Sequence, residues 1–77
     1  MEDIVIGGRY RHYKGNEYRV IARAENSETK EQEVIYESLA DGRIWSRQEA
    51  MFKEEVNMSD GNKQPRFSFI DQEETDK

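Results

Sequence analysis

Two segments of alternating apolar and polar residues, 18–24 and 32–39, flank the polar loop Asn26–Lys30 near the middle of the chain. Antiparallel pairing of the two, centred on Glu28, matches opposite charges and apolar neighbours: Arg19 with Glu37, Arg23 with Glu33, Ile21 with Ile35, Val20 with Tyr36, and Ala22 with Val34. Such cross-strand pairs stabilise sheets, and a slip of one residue would turn every side chain to the wrong face. The pattern therefore predicts a β-hairpin within an antiparallel sheet.

Polar and aromatic residues alternate just before Lys14-Gly15-Asn16, which has the composition of a turn. A loop of three residues places Tyr10 and His12 on the apolar face of the hairpin. A two-residue turn would instead bring Tyr13 beside Tyr18. The three-residue loop is favoured because it keeps the apolar face continuous.

The second half of the chain begins with Asp41-Gly42 between two β-like runs, a hairpin signal that predicts a fourth strand at residues 44–46. The sequence Ser46-Arg47-Gln48-Glu49 has the spacing of a capping box. It predicts one helical turn that covers an open end of the sheet with Met51 and Phe52.

Residues 53–56 are expected to resume as a strand, and the polar stretch 57–64 to form a loop. A final strand is predicted at residues 66–70, with Phe67 and Phe69 on one face. A short Ile-Val-Ile strand candidate also precedes the break at Gly7-Gly8 near the start of the chain.

These elements predict an all-β, mainly antiparallel fold: a small SH3-like barrel of five or six short strands with one helical turn near residues 47–52. An open five-stranded sheet is the alternative. The expected organisation is an N-terminal segment at 1–7 that is a possible added strand, one domain at 8–70, and a disordered acidic tail at 71–77.

The composition limits the classes of function. A chain of 77 residues makes one small domain whose core is too small to enclose a deep pocket. No apolar run approaches the ~20 residues that span a bilayer, and the start lacks the features of a secretory signal. We therefore expect a cytoplasmic protein without a membrane interaction.

Charge and the rare residues exclude further classes. The net charge of −5 makes general nucleic-acid binding unfavourable, although basic residues cluster early in the chain. The sequence contains no cysteine and one histidine, so disulfides and thiolate chemistry are excluded and zinc is disfavoured. No metal or other cofactor is expected.

Several spaced motifs together resemble a family of short bacterial and phage proteins that is catalogued only as a domain of unknown function. The motifs are Tyr10-Arg11-His12-Tyr13-Lys14-Gly15, Tyr18, Ser27-Glu28-Thr29, Val34-Ile35-Tyr36, Trp45-Ser46-Arg47, Met51-Phe52 and Pro65-Arg66-Phe67. The resemblance covers roughly residues 8–70, and departs from the family at Asn26, where the family often has His, and at Gln48, where it often has Pro. It implies a compact domain and supplies no activity or catalytic residue.

The single histidine, His12, is the first candidate for chemistry, because an imidazole titrates near neutral pH. No nucleophile accompanies it in the sequence. A hydrogen-bonded histidine at the margin of the core is therefore the favoured interpretation.

Aromatic residues are the second candidate, since rings stack on bases and hold peptides. Five tyrosine or tryptophan rings are present: Tyr10, Tyr13, Tyr18, Tyr36 and Trp45. Tyr18 and Tyr36 are expected in the interior. Tyr13 and Trp45 are predicted on the opposite face of the sheet from the core.

Basic residues adjacent to these rings form the third candidate, an anion-binding surface made by Arg11, Lys14, Arg47 and Arg66. Ion pairs and cation–π contacts within the domain are the favoured structural interpretation, given the acidic balance. The hydroxyl groups of Ser27-Glu28-Thr29 are likewise expected to cap their own loop.

Three functional hypotheses follow from these residues. The first is a non-enzymatic binding module that recognises a protein, a peptide or a nucleotide-like anion through Arg11, His12, Tyr13, Lys14, Trp45, Arg47 and Arg66. The second is an enzyme or sensor for a small phosphorylated metabolite, with His12 as acid or base and arginines as clamps. The third is an oligomerisation unit that adds Ile4-Val5-Ile6 to a partner's sheet.

Overall fold

The computed structural model describes residues 4–72 of the chain. Its elements in chain order are β1 (Gly8–His12), β2 (Glu17–Glu25), β3 (Gln32–Ser38), β4 (Ile44–Gln48), α1 (Glu49–Lys53), β5 (Glu55–Asn57), β6 (Lys63–Pro65) and β7 (Phe67–Gln72). Five strands form one antiparallel sheet in the order β4-β3-β2-β1-β7, and β5 pairs with β6. The predicted all-β, mainly antiparallel class and the single helical turn are confirmed.

The main sheet is open, with β4 and β7 at its two edges. No ladder joins these edges within residues 4–72, so the barrel closure that the sequence favoured is not detected. The pairing order matches the open five-stranded sheet that was the alternative. The strand β6 forms inside the segment that was predicted to be a loop.

The central hairpin begins in the predicted register. Arg19 lies opposite Glu37, and Val20 lies opposite Tyr36. The loop between β1 and β2 also has the predicted length of three residues, because the amide of His12 donates to the carbonyl of Asn16 at 2.7 Å. It consists of residues 13–15 and is therefore one position earlier than the predicted turn Lys14-Gly15-Asn16.

A β-bulge at Ile21 then changes the register between β2 and β3. The extra residue in β2 places Ala22 opposite Ile35, and Arg23 opposite Val34. Three predicted pairs are therefore wrong by one residue: Ile21 with Ile35, Ala22 with Val34, and Arg23 with Glu33. A bulge reverses which face the following side chains point to, and here it turns Arg23 to the core side.

The bulge connects the sheet to the helix. Arg23 Nη2 lies 2.7 Å from Glu49 Oε1 in the first turn of α1, and Lys53 Nζ lies 3.0 Å from Glu49 Oε2. A carboxylate at a helix start and a lysine four residues later both favour the helix. This triad ties the short helix to β2.

The helix begins differently from the prediction. Ser46 remains in β4, opposite Ile35, and the N-cap is Gln48 without a side-chain capping bond. The predicted capping box is therefore wrong, because strand pairing extends through Ser46. Phe52 is fully buried as expected, but Met51 is 40% exposed and does not cover the sheet.

Aromatic rings form the core on one face of the main sheet, which we call the inner face. Phe52 stacks on Phe67 with a centroid distance of 4.1 Å and meets Tyr10 and Tyr36 edge-on at 5.4 and 5.5 Å. The buried apolar residues are Ile4, Tyr10, Val20, Val34, Tyr36, Phe52 and Phe67. Edge-to-face contacts of this kind add stability beyond burial.

The segment before β1 is a turn rather than the predicted strand. Gly7 has a φ of +86°, and the amide of Gly8 donates to the carbonyl of Val5 at 2.9 Å. The amide of Val5 donates to the phenolic oxygen of Tyr10 at 3.0 Å, and Ile4 is buried in the core. Burial of Ile4 argues against the third hypothesis, in which this segment joins a partner.

At the other end, β7 continues through Asp71 and Gln72. The expected disorder from residue 71 is therefore wrong for these two residues, because Arg9 holds Asp71 with contacts of 2.7 and 3.0 Å. The rest of the predicted tail, residues 73–77, lies outside the described residues.

We expect Phe52→Ala to lower the free energy of unfolding by about 3–5 kcal/mol, because it removes the ring that joins three others in the core. Met51→Ala, one residue earlier on the same helix, is the control and should change it by less than about 1 kcal/mol. Urea denaturation followed by far-UV circular dichroism measures both. Equal losses for the two variants would contradict this packing.

Stability should also depend on the triad at Glu49. The hydrogen bond from Lys53 and then that from Arg23 lower the pKa of Glu49, so its contribution is present at neutral pH and lost as the pH falls through the folded-state pKa. Glu49→Gln should cost about 1 kcal/mol or less at pH 7 and almost nothing at pH 3. Glu55→Gln, at an exposed carboxylate in β5, is the control for denaturation at both pH values. A loss at Glu49 that is independent of pH would rule out this account.

Candidate functional site

The open part of the inner face contains a pocket of about 200 Å³. Its lining comes from all five strands of the main sheet and consists of His12, Tyr18, Tyr36, Trp45, Arg47 and Phe67. Three of these residues were predicted site residues: His12, Trp45 and Arg47. The pocket therefore brings together a ring-lined floor, an imidazole and a guanidinium group.

Strand register explains why the pocket residues share a face. Trp45 lies opposite Tyr36, and Arg47 lies opposite Val34. Trp45 is thus on the inner face, and the prediction that it lies on the opposite face is wrong. The hairpin of β3 and β4 is closed by the amide of Ser38, which donates to the carbonyl of Arg43 at 2.8 Å. The length of the loop between these two residues sets the register of β4.

Trp45 is nevertheless 47% exposed, because β4 is an edge strand and α1 does not cover it. The ring forms a wall of the pocket rather than part of the closed core. An exposed tryptophan beside a depression is typical of an interface anchor.

His12 lies between rings on the pocket floor. Its ring centroid is 4.9 Å from that of Phe67, edge-on, and 4.5 Å from that of Tyr13. Nδ1 accepts a hydrogen bond from the amide of Lys14 at 3.2 Å, which assigns the proton of the neutral imidazole to Nε2.

Electrostatics keep this imidazole neutral. Partial burial lowers the pKa of His12 below its ordinary value, and the positive charges of Arg47, Arg66 and Lys14 lower it further. His12 therefore presents an N–H donor at neutral pH. The same effect shows that the positive charges of Arg47, Arg66 and Lys14 all act on the region around His12.

Arg47 provides the cation of the pocket. Its Nε donates to the phenolic oxygen of Tyr36 at 3.3 Å, and its guanidinium carbon lies 6.0 Å from the centre of the Phe67 ring. No carboxylate lies within 4 Å of Arg47 among residues 4–72. A half-buried guanidinium held by rings and free of an acidic partner is available to an external anion.

Arg66 and Lys14 lie at the rim. Arg66 pairs with Glu54, and its Nε is buried without a hydrogen-bond partner in the described part of the chain. Its carbonyl accepts from the amide of Tyr13 at 2.9 Å, while Lys14 Nζ lies 5.8 Å from the Tyr13 ring. Tyr13 thus sits in the turn against His12, not on the outer face where it was predicted.

Arg11 is separate from the pocket. It points to the outer face of the sheet, where its Nη2 lies 2.8 Å from Glu17 Oε2. Strand alternation places it opposite in direction to Tyr10 and His12. The structure therefore does not bring Arg11 together with the other predicted site residues.

The loop between β2 and β3 is organised by its own side chains. Asn26 Oδ1 accepts hydrogen bonds from the amides of Glu28 and Thr29 at 2.9 and 3.0 Å. The predicted capping by a hydroxyl group is seen at Thr29, whose Oγ1 accepts from the amide of Glu31 at 3.3 Å. The asparagine that departs from the family pattern forms the turn itself.

Sequence reasoning missed three residues of the pocket lining: Tyr18, Tyr36 and Phe67. Tyr18 and Tyr36 were assigned to the interior and Phe67 only to one face of the last strand, and Tyr36 and Phe67 are indeed buried. Strand alternation could have identified them, because alternate residues of a strand point to the same face as the predicted site residues. This inner face extends beyond the part that Phe52 covers.

Two further kinds of site are absent from the described residues. Within 4–72, no three His, Asp or Glu side chains lie close enough together to hold a metal ion. No helix in the same range is long or apolar enough to cross a membrane.

A family model described as "Protein of unknown function (DUF1653)" matches residues 8–69. The chain belongs to the DUF1653 family. The match confirms the resemblance that the spaced motifs indicated over roughly the same residues.

The chain is also similar to a protein of the DUF1653 family from Bordetella bronchiseptica that has been solved by crystallography. The two share 32% sequence identity over 99% of each chain, with a TM-score of 0.80. No curated protein matches the sequence significantly. The DUF1653 fold of this chain is therefore shared by a relative along its whole length.

We expect Arg47→Gln to raise the pKa of His12 toward its ordinary value, because removal of a nearby positive charge favours the protonated imidazole. Arg43→Gln, at an exposed arginine that pairs with Asp41, is the control and should leave the titration unchanged. NMR titration of the His12 ring protons measures both shifts. An unchanged His12 titration in Arg47→Gln would show that the guanidinium does not act on the imidazole.

Proposed function

We propose that this protein is a non-enzymatic binding module whose pocket receives an acidic side chain of a protein partner. The observation that carries the proposal is Arg47, a half-buried cation in an aromatic pocket, without a carboxylate partner among the described residues. Burial strengthens the attraction between such a group and an external carboxylate. Bidentate pairing with a guanidinium adds directional specificity.

The size of the pocket supports a side chain rather than a whole metabolite. Pockets for small-molecule ligands usually measure about 300–1,000 Å³. The depression beside Trp45 measures about 200 Å³ and opens at the edge of the sheet. One residue of a partner fits this volume, and the exposed indole supplies apolar contact around it.

The state of His12 also supports binding rather than acid–base catalysis. A general base needs an unprotonated nitrogen that faces the reacting group. The lowered pKa keeps the imidazole neutral, and its one proton is on Nε2 because Nδ1 accepts a hydrogen bond from the amide of Lys14. The imidazole is therefore equipped to donate a hydrogen bond to an anion.

We place this activity in the cytoplasm. The chain contains no cysteine and therefore has no disulfide that would require an oxidising compartment. The net charge of the chain is −5, so the cationic pocket is a local exception on an acidic protein. It therefore favours a partner that presents a single acidic side chain and is not strongly acidic elsewhere. A free polyanion such as nucleic acid would be repelled by the rest of the molecule.

NMR titration with two capped tripeptides tests the proposal. Acetyl-Ala-Glu-Ala-amide should shift the signals of the Trp45 indole and the His12 ring, and acetyl-Ala-Gln-Ala-amide should shift them at least tenfold less, because it lacks the charge. Arg47→Gln should weaken the first effect at least tenfold. Ile44→Ala, on the outer face of the same strand, is the control variant and should bind normally.

Two results would contradict the proposal. Shifts with adenosine monophosphate and none with the glutamate peptide would favour the sensor hypothesis, in which arginines clamp a phosphate. Loss of cooperative thermal unfolding in Trp45→Ala would show that the indole is a core residue instead of a binding anchor.

A further inference from the structure

The edge strand β4 combines exposed apolar side chains with an unpaired backbone edge. Ile44 is 57% exposed and Trp45 is 47% exposed, and no described strand pairs with the outer side of β4. Natural proteins usually protect such edges, because unpaired backbone groups template association with another chain. The edge also lies directly beside the pocket, since it supplies Trp45 and Arg47.

The direction of the free backbone groups follows from the hairpin. The amide of Ser38 donates to the carbonyl of Arg43, so Trp45 and Arg47 also exchange their backbone hydrogen bonds with β3. The backbone amides and carbonyls of the alternate residues of β4, Ile44, Ser46 and Gln48, therefore point away from β3. Ser46 is at the centre of this free edge.

The sequence of the edge is self-complementary about Ser46. Two copies paired antiparallel with Ser46 opposite Ser46 would place Trp45 of each opposite Arg47 of the other. Stacking of an arginine guanidinium on a tryptophan ring is favourable.

Neighbouring registers are unfavourable. Centring the pair on Trp45 would set Arg43 opposite Arg47, and centring it on Arg47 would set the two Arg47 guanidinium groups against each other. Like charges directly opposite in a sheet destabilise it. Only the Ser46-centred register matches the whole length of β4 without such a conflict.

We propose that two copies of the chain associate through β4, antiparallel and centred on Ser46, to form a continuous ten-stranded sheet. The interface is isologous, since each copy contributes the same strand. This association is a property beyond the proposed function and does not depend on it. Stacking of Arg47 on the indole of the second copy leaves its N–H edge available to an anion.

The interface is short, so association should be weak and depend on concentration. Sedimentation equilibrium from about 10 µM to 1 mM should show the mass rising from 9.1 kDa toward twice that value, with a Kd on the order of 10–100 µM. A mass that stays at one copy throughout would overturn the proposal.

Ser46→Pro tests the backbone pairing. It removes the amide that points outward, while the hydrogen bonds of β4 with β3 remain, so the variant should fold and stay monomeric. Ser46→Ala retains the amide and is the matched control, which should associate like the parent chain. Unchanged association of Ser46→Pro would place the contact elsewhere and overturn the proposal.

Two substitutions of the exposed Trp45 test the register. They also test the interface independently of whether Ser46→Pro folds. Trp45→Arg sets one cation opposite Arg47 of the other copy, at both ends of the pair, and should weaken association at least tenfold in Kd. Trp45→Glu sets a carboxylate against the same group and should retain association. Equal weakening by both would exclude the Ser46-centred register.

Discussion

The constraint on which this structure depends is the need to bury one face of a single sheet with very little covering material. Among the described residues, the buried apolar side chains that lie outside the five-stranded sheet are Ile4, before β1, and Phe52, in α1. The face is made of rings, and Phe52 joins them by stacking on Phe67. Tyr36 on β3 is buried, whereas its neighbour Trp45 on the edge strand β4 is 47% exposed.

The pocket is a direct result of this incomplete coverage. Rings that begin in the closed core continue to the uncovered part of the same face, where Trp45 and Arg47 border them. Buried aromatic residues therefore have two roles, since they stabilise the domain and form the floor of the candidate site. The side chain of Tyr36 shows both, with a buried ring and a hydroxyl group that accepts from Arg47.

Much of the sheet was predictable because alternation and turn chemistry are local signals. The first part of the central hairpin, with Arg19 opposite Glu37, followed from charge and apolar pairing. The bulge at Ile21 was not predictable in this way, because Arg23 has an acidic partner in either register. The choice of Glu49 over Glu33 depends on where α1 packs, which is a tertiary effect.

The candidate site was predicted in its residue types and only partly in its geometry. His12, Trp45 and Arg47 lie together as a surface of rings and cations, whereas Arg11 points to the opposite face. The face of Trp45 depends on the length of the loop before β4, and a change of one residue would reverse it. The capping box failed for a related reason, because pairing with β3 kept Ser46 in the strand.

The burial of Ile4 has a consequence for how the boundaries of this domain are drawn. The family match starts at residue 8, yet the cooperative unit includes a side chain four positions earlier. Tyr10 anchors that preceding segment through its phenolic oxygen, and a methyl group at Gly8 would lie only 2.9 Å from the carbonyl of Val5. A fragment trimmed to the residues of the family match would therefore lack part of its own interior.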